Sequence, residues 1–98
     1  MSYKIKFTPA SKKDYDKLDN SQKLQVRKSL KKIEKYGLNI GQPLKGKLAD
    51  CKKMKHKKLG LRVIFKQSDL GIEIIEIVVI GKRDEKEVYR EAENRLGR

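Results

Sequence analysis

Cysteine and histidine are almost absent from this chain: Cys51 and His56 are the only examples among 98 residues. A single cysteine excludes an intramolecular disulfide and a cysteine metal cluster, and it suits a reducing cytoplasm. Cys51 is expected as a small core residue at the start of a strand. A single histidine excludes both a histidine-pair nuclease and a histidine zinc site within one chain, so no metal and no cofactor is expected. His56 reads as a solvated surface residue. The glycines form neither a P-loop nor a dinucleotide fingerprint. No apolar run approaches the roughly 18 residues of a membrane span, Met1–Ala10 lacks the apolar stretch of a secretory signal, and no membrane partner is expected. Acids are scarce as well, 13 against 26 lysines and arginines, which leaves a formal net charge of +13.

The cations are not spread evenly. Nine fall between Lys45 and Lys66, with Asp50 the only acid among them. Such density costs stability through self-repulsion and is most easily explained by a polyanionic partner. The 37% of hydrophobic residues is enough for one modest core, and these residues are periodic rather than scattered. Residues 1–98 are therefore expected to fold as one domain.

Tyr3, Ile5 and Phe7 alternate with lysines as in a half-buried strand. Thr8-Pro9 reads as the N-cap and first position of a short helix carrying Tyr15 and Leu18. Asn20 or Ser21 caps a second helix, on which Val26, Leu30 and Ile33 share a face and which Gly37 ends. Residues 38–48, with Gly41, Pro43 and Gly46, read as a loop. Three strands follow, over 51–58, 61–68 and 72–80, joined by turns short enough only for antiparallel neighbours. The last is apolar on both faces and belongs inside the sheet. Asp84 and Glu87 then suggest a capping box for a final helix with Val88, Ala92 and Leu96. The expected fold is α+β in the order β-α-α-β-β-β-α, a mainly antiparallel four-stranded sheet packed with a helical hairpin and a C-terminal helix.

Within the basic segment, strand alternation puts Lys53, Lys55 and Lys57 on one side and Lys52, Met54 and His56 on the other. Arg62 lies on the next strand, Arg83 just past the third, and Tyr89 on the helix that follows. The surrounding Lys45, Lys47, Lys52, Lys57 and Lys58, with Lys12 and Lys31 on the hairpin, read as contacts for a polyanion. Crowding by Lys53, Lys57, Arg62 and Arg83 disfavours another positive charge on Lys55, which makes it a candidate base.

The run Leu44-Lys45-Gly46, Asp50-Cys51-Lys52-Lys53-Met54-Lys55, Gly60-Leu61-Arg62-Val63-Ile64-Phe65, Gly81-Lys82-Arg83 and Glu87-Val88-Tyr89 closely resembles the RelE toxins of bacterial type II toxin–antitoxin systems. The order of elements matches over nearly the whole length, as a single RelE-like toxin domain. The resemblance implies a metal-independent endoribonuclease that cuts messenger RNA in the ribosomal A site by 2'-hydroxyl attack, leaving a 2',3'-cyclic phosphate and a 5'-hydroxyl. It implies Lys53 and Lys55 at the scissile phosphate, Arg62 on its developing charge, Arg83 by the leaving 5' oxygen and Tyr89 stacking on or orienting a nucleotide, with the surrounding lysines as contacts for RNA or the ribosome. The implied partners are an acidic antitoxin, the ribosome and its mRNA, with operator DNA reached only through the antitoxin. Two other functions stay open at this point: gyrase inhibition, as in ParE-like toxins on the same scaffold, and RNA or DNA binding without turnover.

Overall fold

The computed structural model describes residues 2–82 and 84–98, so the expectation for Arg83 lies outside the described residues. The elements are β1 (Lys4–Phe7), α1 (Pro9–Asp16), α2 (Asn20–Tyr36), β2 (Gln42–Pro43), β3 (Cys51–His56), β4 (Leu61–Gln67), β5 (Ile74–Lys82) and α3 (Glu85–Arg95). The strands form one sheet in the order β1-β5-β4-β3-β2, with β1 parallel to β5 and the other pairs antiparallel. Among the described residues, no helix is long and apolar enough to cross a membrane.

Local chemistry accounts for the helix starts. Thr8 accepts from Ser11 N at 3.0 Å while Ser11 Oγ accepts from Thr8 N at 2.9 Å, with Pro9 at the first position. Asp19, and not Asn20 or Ser21 as expected, is the cap of α2 and forms the same reciprocal box with Gln22. Asp84 caps α3 by accepting from Lys86 N at 2.9 Å instead of forming a box with Glu87. Gly37 ends α2 at φ 61°, and a Cβ there would meet the Tyr3 ring at 2.5 Å, so both conformation and packing require glycine.

Two further expectations are corrected. The span read as a loop contributes a fifth strand, β2, whose two residues are too few for a periodicity and whose Pro43 is tolerated on a sheet edge. The third long strand begins at Ile74, since Ile72 is 78% exposed in the preceding turn.

The sheet buries both faces. Val26 and Ile33 of α2 and Leu18 pack with Leu61, Val63, Phe65, Ile75 and Ile77 on one side. Val88 and Ala92 of α3 pack with Leu48, Cys51, Ile64, Val78 and Val79 on the other. Consecutive Val78 and Val79 share that second side because the β4–β5 register shifts at Ile64/Phe65. Cys51 is fully buried, as expected, and burial, followed by the charge of Asp50, pushes its thiol up to about 11.

Asp14 ties three elements together. The pairing of β1 with β5 stops at Ile77, and farther along β5 the Ile80 N–H is received by Asp14 at 3.1 Å. The same carboxylate takes two bonds from Arg95 of α3, at 2.6 and 3.1 Å, while Arg95 also donates to Val78 O at 2.9 Å. Asp14→Ala strands an amide and a guanidinium and should cost about 1–3 kcal/mol. In a domain of this size each kcal/mol corresponds to a fall in Tm of roughly 4–8 °C, which thermal denaturation would read. An unchanged Tm would show that water replaces the carboxylate.

Candidate active site

Register builds the site. Lys55 on β3 lies directly opposite Arg62 on β4, and Arg62 lies opposite Gly81 on β5. Lys53 is two residues along β3, on the same face. Gly81 is needed because a Cβ there would come within 2.5 Å of Val88 Cγ2. Without a side chain at that point α3 closes onto the sheet, carrying Glu85 and Tyr89, one helical turn apart, over the cations.

Like charges directly opposite on neighbouring strands repel. Here a carboxylate lies between them. Glu85 Oε1 pairs with Lys55 and accepts from Arg62 Nε at 3.2 Å, while Oε2 accepts from Tyr89 OH at 3.2 Å and from Lys53 Nζ at 3.4 Å. Arg62 is held in turn by a bond to Gly60 O at 3.1 Å. The carboxyl of Glu85, ordinarily near 4.5, is drawn down to about 2, most by Lys55 and then, against some burial, by Arg62 and Lys53. Its ion pairs therefore stabilise the fold above about pH 4.5, and that contribution is lost as pH falls through about 2.

The Tyr89 hydroxyl is 2.5 Å from Lys53 Nζ. That nitrogen is 5.3 Å from the ring centroid, so the ammonium sits beyond the hydroxyl and not over the ring face. The Lys53 pKa is raised above its ordinary 10.5, chiefly through this hydrogen bond and then through Glu85, with burial opposing. Lys53 is a permanent cation at neutral pH. Tyr89 also packs against the second core cluster, and it lines a cleft of about 330 Å³ with Pro43, Leu44, Lys45 and Lys53.

Four of the five expected site residues thus converge, and Arg83 lies outside the described residues. Of the outer cations, Lys45 shares the Tyr89 cleft, and Lys57 lines a small cleft with Lys55 and Arg62. Lys57 does so from the β3–β4 turn, not from the strand expected to carry it. Lys58 is exposed in the same turn, and Lys47 is exposed with its carbonyl accepting from Arg98. Lys52 points elsewhere, into a separate cleft with Lys66 and Ser68. Lys12, paired with Asp16 at 2.9 Å, and the exposed Lys31 belong to the helices packed on the opposite face of the sheet.

Two residues differ from the sequence reading. His56 is half-buried, with its Nε2 bonded to the buried Ser29 hydroxyl of α2, and burial followed by the charge of Lys32 lowers its pKa. It fastens α2 to β3, on the face away from the lysines. Glu85 is absent from the expected site residues, and its carboxylate, paired with Lys55, makes the surroundings of that lysine not purely cationic. An acid in the first turn of a helix reads as an ordinary partner of the helix dipole, and no spacing in the sequence links it to β3.

A small α+β fold with a cationic, tyrosine-flanked site between sheet and last helix defines the class. No protein-family model matches the chain. It is 33% identical over 96 residues to a RelE-like toxin protein of Escherichia coli, covering 98% of this chain and 99% of that protein. It is 28% identical, with the same coverage, to the mRNA interferase toxin RelE of E. coli strain K12. The isolated E. coli RelE toxin superposes with a TM-score of 0.75 at 26% identity, over 97% of this chain and 99% of that one. A mutant of that toxin in complex with an antitoxin RelBc peptide superposes at 0.70 and 26%, over 94% and 95%. The chain belongs to the RelE family of type II toxins.

Proposed function

We propose that this toxin is a ribosome-dependent endoribonuclease that cuts messenger RNA in the A site. The observation that carries the reading is the convergence of Lys53, Lys55, Arg62 and Tyr89 on one anionic group. In the reaction the 2'-oxygen of the RNA gives up its proton and bonds to phosphorus. The bond from phosphorus to the 5'-oxygen breaks, its electron pair leaves with that oxygen, and a proton is taken up there. The products are a 2',3'-cyclic phosphate and a 5'-hydroxyl. Lys53 and Arg62 meet the negative charge that grows on the non-bridging oxygens, where fixed donors act most strongly. Once a substrate phosphate has replaced Glu85, Lys55 in its neutral form, its ammonium proton lost to solvent, takes the 2' proton, and solvent supplies the proton of the 5'-hydroxyl. Arg83 is assigned to charge at the leaving oxygen, because a guanidinium with a pKa above about 12 is a poor proton donor. Side chains meet all of this charge, so the proposed chemistry is metal-independent.

The silencing partner is proposed to be an acidic antitoxin, in keeping with a net charge of +13 and with the antitoxin peptide bound to the related RelE. Operator DNA would be reached only through it. Action on the ribosome puts the toxin in the cytoplasm.

Cleavage of mRNA on programmed ribosomes, with the 3' ends mapped, tests the reading. Binding without turnover, or inhibition of gyrase supercoiling without cleavage, would replace it with one of the alternatives. The same assay tests Tyr89. Tyr89→Ala removes a stacking face worth about 1–3 kcal/mol per base and should lower kcat/KM roughly 10- to 100-fold. Tyr89→Phe keeps the face and loses only the hydroxyl's bonds to the charged Lys53 and Glu85, each worth about 1.5–3 kcal/mol, so it should still cleave faster than Tyr89→Ala, which loses both. Equal, severe loss in both variants would make the hydroxyl the essential group, and full activity in both would leave Tyr89 a packing residue.

A further inference from the structure

We infer that Glu85 is the internal occupant of the phosphate site and sets its specificity: an anion enters only by expelling this carboxylate, which favours RNA anchored elsewhere over loose anions. The inference rests on the reading of the site as a phosphate site. Among the described residues, four donors from three elements divide two and two between the carboxylate oxygens, Lys55 and Arg62 on Oε1, Lys53 and Tyr89 on Oε2. A phosphodiester offers the same pair of anionic oxygens to the same donors. Both ligands cannot be present together.

The side chain can leave without backbone change. Glu85 is the first residue of α3, its side chain is 29% exposed, and all four donors are side-chain groups. Its withdrawal would leave Lys55 directly opposite Arg62 with no anion between them, so the vacated site demands a replacement. A free phosphate only exchanges one anion for another and gains little. An RNA held at its neighbouring nucleotides presents its phosphate at millimolar or higher effective concentration and displaces the carboxylate readily. Stacking in the Tyr89 cleft and the exposed Lys45 and Lys57 beside the site supply that anchoring. The carboxyl titrates at about 2, so the occupant stays ionised across the neutral range and acidification to pH 5 does not release it.

Titration of the intact protein with inorganic phosphate, followed by NMR, separates occupancy from bulk charge. Glu85→Gln removes the charge, while Glu85→Asp keeps it and withdraws the oxygens by one methylene. Glu87→Gln removes the same charge from an exposed position in the same helical turn. Phosphate should bind at least about tenfold tighter to Glu85→Gln and severalfold tighter to Glu85→Asp than to the wild type, with less than about a twofold change in Glu87→Gln. In the wild type, saturating phosphate should shift the side-chain carboxyl signal of Glu85. Affinity of Glu85→Asp equal to wild type, or equal gains in Glu85→Gln and Glu87→Gln, would overturn the inference. Thermal denaturation of each variant checks that it is folded. The titration needs neither ribosome nor cleavage. Tightened phosphate binding without nuclease activity would therefore remove the proposed function and leave this inference, and normal cleavage with unchanged phosphate binding would do the reverse.

Discussion

Arg62→Ala should lower the saturated rate of mRNA cleavage by about 10²- to 10³-fold, the usual cost of losing one fixed donor to a developing oxyanion. The arginine is placed for that task by two constraints. Its position on β4 puts it across from Lys55 and Gly81, and its bond to Gly60 O at 3.1 Å fixes the guanidinium before substrate arrives. The loss should appear mainly in kcat, because the single negative charge of the phosphodiester grows toward two in the transition state. Arg62→Lys keeps a charge but not the planar fork, and it should recover part of the rate and no more. Single-turnover cleavage on programmed ribosomes measures both variants, with Lys12→Ala, on the far face of the sheet, as the matched loss of one surface charge. An Arg62→Ala rate within about threefold of wild type would be too small for transition-state stabilisation and would reduce Arg62 to a binding residue.

What the sequence revealed and what it hid follow from the range of the interactions involved. Thr8-Pro9 and Asp84 are legible as helix starts because a cap is satisfied within three residues. Lys53 and Lys55 on one face, Met54 and His56 on the other, follow from strand alternation alone, and the structure packs the partly buried Met54 against the first core cluster and sets His56 on Ser29 accordingly. The parallel pairing of β1 with β5 joins segments far apart in the chain, and no local signal fixes that register. β2 is two residues long and is defined only by its partners Lys52 and Lys53. The apolar side chain of Ile72 reads as part of a strand, yet the turn before β5 leaves it in solvent. Glu85 is the instructive miss. Its role comes from meeting β3 and β4 across a gap that Gly81 keeps narrow, and neither a carboxylate at a helix start nor a glycine at a strand end announces that meeting.

The lysine pair divides by chemistry, and arginine replacements expose the division. Lys53 is held as a cation by the Tyr89 hydroxyl and Glu85, which suits a group that grips phosphate and does not suit a base. Lys55 is more open and has no hydroxyl partner. It lies opposite Arg62 and reaches the position that Glu85 occupies, the placement that a base for the 2'-hydroxyl requires. Lys53→Ala and Lys55→Ala should each slow cleavage at least about a hundredfold, the lower end for acid–base groups and also the scale of a lost oxyanion donor. Arginine can grip phosphate but, with a pKa above about 12, cannot serve as a base near neutrality. Lys53→Arg should therefore regain most of the rate, whereas Lys55→Arg should stay near the alanine level. Single-turnover rates on programmed ribosomes decide the matter. Recovery of Lys55→Arg to wild-type rates would show that both lysines act as charges alone and that the 2'-hydroxyl loses its proton to another acceptor.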